Sequence, residues 1–258
     1  MPHPLFRWLM RATLIMVATA TSGFAAETLH VYGPGGPLPA MKEAAASFGK
    51  QHGIDVVVTG GPTRTWIESA KNDGDLIYSG SEHMMTEFID ALADQIDPST
   101  ALPLYLRPSS VLVRPGNPKE IRGLRDLGKP GVNILVVQGA GQTGMWEDMV
   151  GRTGDIDLLR AVRNNIRVFA PDSGKARQAW TSDKRLDAWL IWNIWQVSNP
   201  DLAQTVPVEE EFVIYRDTGI AYTQRGKNKP AARQFVEYLQ SPQGARIFAK
   251  WGWMTPAR

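Results

Sequence analysis

Short apolar runs alternate with amphipathic helical stretches along most of this chain, and that alternation restricts it to β-α units built on largely parallel sheets. TLHVYG at 28–33 reads as a strand, PLPAMKEAAASFGKQHG as a helix, IDVVVTG as a strand, PTRTWIESAKND as a helix, DLIYSG as a strand and SEHMMTEFIDALADQI as a helix. A second series follows: NILVVQ, the turn GAGQTG and a helix; NIRVFA, the turn PDSGK and a helix; then LDAWLIW and a helix begun by Asn193. Two longer extended runs bracket that series, LPLYLRPSSVLVRPGNP at 102–118 and VPVEEEFVIYRDTGIAYTQ at 206–224. The helices KPAARQFVEYLQS and PQGARIFAKWG close the chain. The pattern predicts an α/β protein of two lobes joined by two strands, with 27–108 and 215–258 forming one lobe and 109–214 the other.

The first 26 residues predict a signal peptide. Arg7 and Arg11 occur without any acid, ATLIMVATATSGF is apolar, and small residues follow at Ala25 and Ala26. The apolar core is well short of the roughly 20 residues that span a bilayer. The chain has no cysteine, so neither a lipidated cysteine nor a disulfide framework is possible. Cleavage near Ala26 would leave a periplasmic protein with no membrane anchor and with 26 basic and 26 acidic residues. That near-neutral balance gives no electrostatic footprint for nucleic acid.

GAGQTG at 139–144 matches the dinucleotide fingerprint G-x-G-x-x-G after an apolar run. The fingerprint also needs an acid about 20 residues on, at the end of the next strand, and Asp172 lies 28 beyond Gly144 with two helical segments between. Read without a cofactor, the turn is an anion grip, since free N-H groups and the dipole at a helix N-terminus favour negative charge. Ser47-Phe-Gly-Lys50 fits the S-x-x-K spacing of acyl-serine enzymes, but Lys184 follows Ser182-Asp183 where asparagine is expected, and no K-T-G occurs. No cofactor is expected, and His83 has no partner at metal-ligand spacing.

The ordered set YGPGGP, LIYSGSEHM, VVQGAGQTGMWEDM, PDSGKARQAW, LDAWLIWNIW and SPQGARIFAKWGW resembles the accessory colonization factor AcfC family. These are bacterial extracellular solute-binding proteins of the molybdate- and sulfate-binding type. The resemblance covers the chain beyond the signal, and GAGQTGMWEDM is its most specific part. It implies a type II periplasmic binding protein fold, each lobe a mainly parallel sheet flanked by helices. It also implies a cleft that closes over a small ligand, and an inner-membrane partner, an ABC transporter permease or a chemoreceptor, that reads the closed form.

In open α/β sheets, ligands bind beyond the carboxyl ends of the strands. The candidate contacts on those turns are Gly35 and Gly36 in GPGGP, Arg64 in GGPTR, Ser79 and Ser81 in SGS, Gln142, Thr143 and Gly144 in GAGQTG, and Ser173 and Gly174 in PDSGK. Asn193, after LDAWLIW, is the last of them. Thr143 is the residue expected to grip hardest, through its hydroxyl and its turn. The expected function is capture of a small anion, a sulfate-type oxyanion or a small organic or phosphorylated acid. The alternative is an exported enzyme of the acyl-serine or dinucleotide-binding type.

Overall fold

The computed structural model describes residues 28–139 and 141–256. The proposed signal peptide, 1–26, and Ala140 of the GAGQTG turn lie outside the described residues. The elements run β1 (Thr28–Gly33), α1 (Leu38–His52), β2 (Asp55–Gly60), α2 (Ile67–Asp73), β3 (Leu76–Tyr78), α3 (Glu82–Leu92) and β4 (Leu102–Val113). They continue with β5 (Ile134–Val137), α4 (Met145–Gly151), α5 (Ile156–Asn165), β6 (Ile166–Ala170), α6 (Ser173–Ser182), β7 (Ala188–Trp192) and α7 (Ile194–Ser198). The chain ends with β8 (Gln204–Val206), β9 (Tyr215–Tyr222), α8 (Pro230–Gln240) and α9 (Pro242–Lys250).

The strands form one curled sheet in the order β2-β1-β3-β9-β4-β7-β5-β6, with β8 paired to β4. At each end three strands are parallel: β2, β1 and β3 in one half, β7, β5 and β6 in the other. The two long strands between them are antiparallel to their neighbours. Pairing of β4 with β9 runs from Leu102 to Pro108 opposite Tyr215, and pairing with β7 begins at Ser109 opposite Trp192. One strand thus serves both halves of a two-lobe α/β fold.

Helices cover both faces because each carries an apolar stripe. On one face of the first half, Phe48 of α1 packs against Phe235 and Tyr238 of α8 at ring separations of 5.2 and 5.5 Å. On the other, Trp66 and Phe88 meet edge to face at 5.1 Å. Full burial of such a ring contributes on the order of 3 kcal/mol. In the second half, Trp180 packs against Trp189 at 5.9 Å. Asp75, fully buried, ties three elements together: it accepts from the His30 N-H at 2.9 Å and from Lys229 Nζ at 2.8 Å, with Arg225 Nε 3.3 Å away.

Two expectations about extended runs need correction. The run at 206–224 is broken by a helical turn at Glu210–Phe212, and its first residue belongs to the short β8. Glu209, just before that turn, accepts the Leu124 N-H at 2.8 Å. The run at 102–118 stops at Val113, where Arg114 donates to the carbonyls of Trp180 and Asp183 at the end of α6 and of Leu186 in the following loop.

Candidate functional site

Six β-α turns converge on one side of the sheet, at the carboxyl ends of the parallel strands, as this topology requires. Between them lies a cavity of about 250 Å³. Its wall takes Gly35 and Gly36 from the turn after β1, Gly60 to Thr63 after β2, and Gly80 and Met84 around the start of α3. The second half contributes Gln142 after β5, Asp172, Ser173 and Gly174 after β6, Trp192 ending β7, and Trp195 of α7. Close approach explains the glycines: a Cβ on Gly60 would stand 2.4 Å from the Tyr78 hydroxyl, which itself donates to the Pro34 carbonyl at 3.0 Å.

Arg107 on β4 supplies the charge. It is 4% exposed, its guanidinium lies 4.7 Å from the ring centroids of both Trp192 and Trp253, and it reaches the cavity wall. Such sandwiching fixes a planar cation without spending its donors. It donates to the carbonyls of Gly80 and of Asp217, the latter at 3.2 Å, while Nε has no partner among the described residues. Burial pushes its pKa down to about 9, Asp217 opposing the fall and Arg216 adding to it, so the group stays cationic at neutral pH. Among the described residues, no carboxylate forms an ion pair with it.

Arg216 stands directly opposite Arg107 in the β4-β9 ladder. It donates to the Gly141 carbonyl at 2.9 Å and to Asp148 at 3.0 Å, tying the GAGQTG turn to β9. Partial burial of its carboxyl, and then Asp217, hold Glu82 above the usual carboxylate range.

The candidate residues divide. Gly35, Gly36, Gln142, Ser173 and Gly174 come together on the cavity wall. Gln142 is 2% exposed and donates through Nε2 to the Ser173 hydroxyl oxygen at 2.7 Å. Ser79 and Ser81 are buried behind the wall: Ser79 accepts the Gly219 N-H at 3.2 Å, and Ser81 caps α3 by accepting the Met84 N-H at 3.1 Å. Arg64 has a side chain 71% exposed and lies 3.7 Å from Asp172. Thr143 is exposed and Gly144 half-buried, both outside the wall, because left-handed φ values of 74° at Gly141 and at Gly144 turn the chain so that Gln142 faces inward and Thr143 outward. Asn193 occupies the N-cap position of α7 as expected, but its side chain makes no capping hydrogen bond and instead donates to the Gly252 carbonyl at 2.7 Å. Asp172 caps α6, whose first residue is Ser173.

His83 is paired with Glu87 at 3.4 Å, and no group of His, Asp or Glu that could hold a metal exists among the described residues. Ser47 of the S-x-x-K stretch accepts from the Tyr238 hydroxyl at 2.8 Å, in the packing between α1 and α8. No described helix is long and apolar enough to cross a membrane.

The family description "Bacterial extracellular solute-binding protein" matches residues 29–254. This chain belongs to that family. Among solved structures of these solute-binding proteins and their relatives, Peb3 from Campylobacter jejuni is 37% identical, with a TM-score of 0.83 over 88% of this chain and 100% of that one. L-phospholactate-bound PEB3 gives 0.84 at the same identity and coverage. The Azotobacter vinelandii periplasmic molybdate-binding protein, 18% identical, shares the fold with a TM-score of 0.66 over 89% of this chain and 100% of that one. No curated protein matches the chain.

In this solute-binding protein, the sequence reading missed Arg107. Its signal was present: a single arginine inside the otherwise uncharged run LPLYLRPSSVLV, at the point where the chain crosses between halves. A charge in that position needs either solvent or a function.

Proposed function

We propose that this solute-binding protein captures a small organic anion, a carboxylic or phosphorylated acid, between its two lobes in the periplasm. The closed form would then be presented to an inner-membrane ABC transporter permease or chemoreceptor. The lobes on this reading are 27–108 with 215–258, and 109–214, and the exported chain begins near residue 27. The observation that carries the proposal is Arg107, a buried guanidinium on the cavity wall with no carboxylate ion-paired to it among the described residues. A planar fork held between aromatic faces suits the planar oxygens of a carboxylate or phosphate.

The size of the cavity favours an organic acid over an inorganic oxyanion. Its volume of about 250 Å³ is many times the roughly 10–15 Å³ of cavity space that one water needs, more than a bare tetrahedral anion fills. It is also below the roughly 300–1,000 Å³ of drug-sized sites, far from the room a dinucleotide needs. The bound L-phospholactate of PEB3 points to the same class.

Thermal melting against a panel of L-phospholactate, phosphate, sulfate, molybdate, sugars and divalent cations tests the proposal. A ligand at 100 times its Kd adds roughly 2.7 kcal/mol of apparent stability. Organic anions should give the largest shift, and a response to sugars or cations with none to anions would overturn the reading.

A further inference from the structure

We propose that Asp172 sets the ligand class of the cavity: it favours a small anion that also carries a hydrogen-bond donor and disfavours one that does not. The donor is a hydroxyl, an ammonium or the acid proton of a phosphate. This rests on the anion reading above and narrows it.

Asp172 lies on the same cavity wall as Arg107 and is 9% exposed. Its Oδ1 is committed, accepting the Lys175 N-H at 2.8 Å as the cap of α6. Its Oδ2 accepts no hydrogen bond among the described residues; the exposed Arg64 forms an ion pair with it at 3.7 Å, beyond hydrogen-bond reach. A carboxylate oxygen that accepts no hydrogen bond keeps its acceptor capacity for a ligand. An incoming anion with acceptors only meets repulsion there, whereas a ligand O-H or N-H placed at Oδ2 makes a charge-assisted hydrogen bond.

Capping alone does not account for the residue. Serine and asparagine cap helices about as well as aspartate and would leave the wall without a negative charge. The charge is therefore a selective element: Arg107 attracts the anion and Asp172 sorts anions by their protons, which is discrimination by an unfavourable contact as well as a favourable one.

Phosphonoacetate and sulfoacetate provide the test, because they are nearly isosteric. At mildly acidic pH the phosphonate keeps one proton, and the two probes carry equal charge. Titration calorimetry should show the wild-type protein binding phosphonoacetate at least about tenfold tighter. Asp172→Asn keeps a capping oxygen and should shrink that ratio to within about threefold. Asp172→Ser, a second uncharged cap, should do the same if the Asn variant folds poorly. Arg64→Ala should weaken both probes alike and preserve the ratio, which separates a role for Asp172 from a mere ion pair with Arg64. Equal wild-type affinity for the two probes, or an unchanged ratio in both Asp172 variants, would overturn the inference while leaving the anion reading standing. Binding of neither probe, together with silence across the anion panel, would end both.

Discussion

A buried arginine is an uncommon choice for stability, since taking a guanidinium out of water costs more than its hydrogen bonds return. Arg107 should therefore be separable into its two roles. Arg107→Met keeps the stem between Trp192 and Trp253 and removes the charge. Its unliganded melting temperature should stay within a few degrees of wild type, while anion-induced shifts should vanish; loss of both together would make Arg107 a structural residue. The GAGQTG turn allows an equally sharp comparison. Gln142→Ala cuts a buried link to Ser173 and should weaken ligand binding by about tenfold, or ~1.4 kcal/mol. Thr143→Ala, at an exposed position, should stay within about twofold. The turn glycines and Ser173 were legible in sequence because turn chemistry is local. Arg107 was not, because its burial is made by Trp192 and Trp253, far along the chain, and no local pattern announces them.

Among the elements, the β-α alternation was legible wherever an amphipathic stripe or a short apolar strand spoke for itself. What escaped was set by distant partners: β8, whose three residues acquire strand geometry only by pairing with β4, and the turn at Glu210–Phe212, anchored when Glu209 accepts from Leu124. The turn before α4 carries a prediction at this scale. Gly141 and Gly144 share a φ of 74°, but a Cβ on Gly141 would stand 3.0 Å from Ser81 Oγ and 3.2 Å from Met84 Cε, whereas one on Gly144 would meet nothing within 4 Å. Both alanine variants should lose about 1 kcal/mol in urea denaturation from the left-handed backbone. Only Gly141→Ala should also weaken ligand binding, since its methyl group pushes α3 away from the turn across the cleft. Equal binding by the two variants would show that this contact does not matter to closure.

For the whole molecule, pH dependence follows from carboxylates held below their ordinary range. A hydrogen bond from Lys227, and then those from Ser99, hold Asp97 down to about 2. Arg185 holds Asp183 down to about 2, and Lys250 and Lys129 lower Glu43 and Asp126. A depressed carboxylate contributes stability above its unfolded pKa of about 4, and that contribution is lost as pH falls through the folded value. Melting temperature should thus hold near neutrality and drop between about pH 4 and pH 2. Glu82 has the opposite sign: its raised pKa favours the fold at low pH and opposes it near neutrality. Glu82→Gln should therefore melt higher than wild type at neutral pH and lose that advantage in acid; a lower neutral melting temperature would contradict the assignment. The strand order carries one more consequence. β9 lies between β3 and β4, yet it is the last strand in the chain. A polypeptide emerging from its N-terminus, at a ribosome or a translocation channel, has made the end of β4 and all of β5, β6, β7 and β8 once Val206 appears. The half that begins first must wait for the strand between β3 and β4 until residue 222 has appeared. The earliest segment made is the last to fold, and a chaperone or channel has until then to keep β3 and β4 from pairing with another chain.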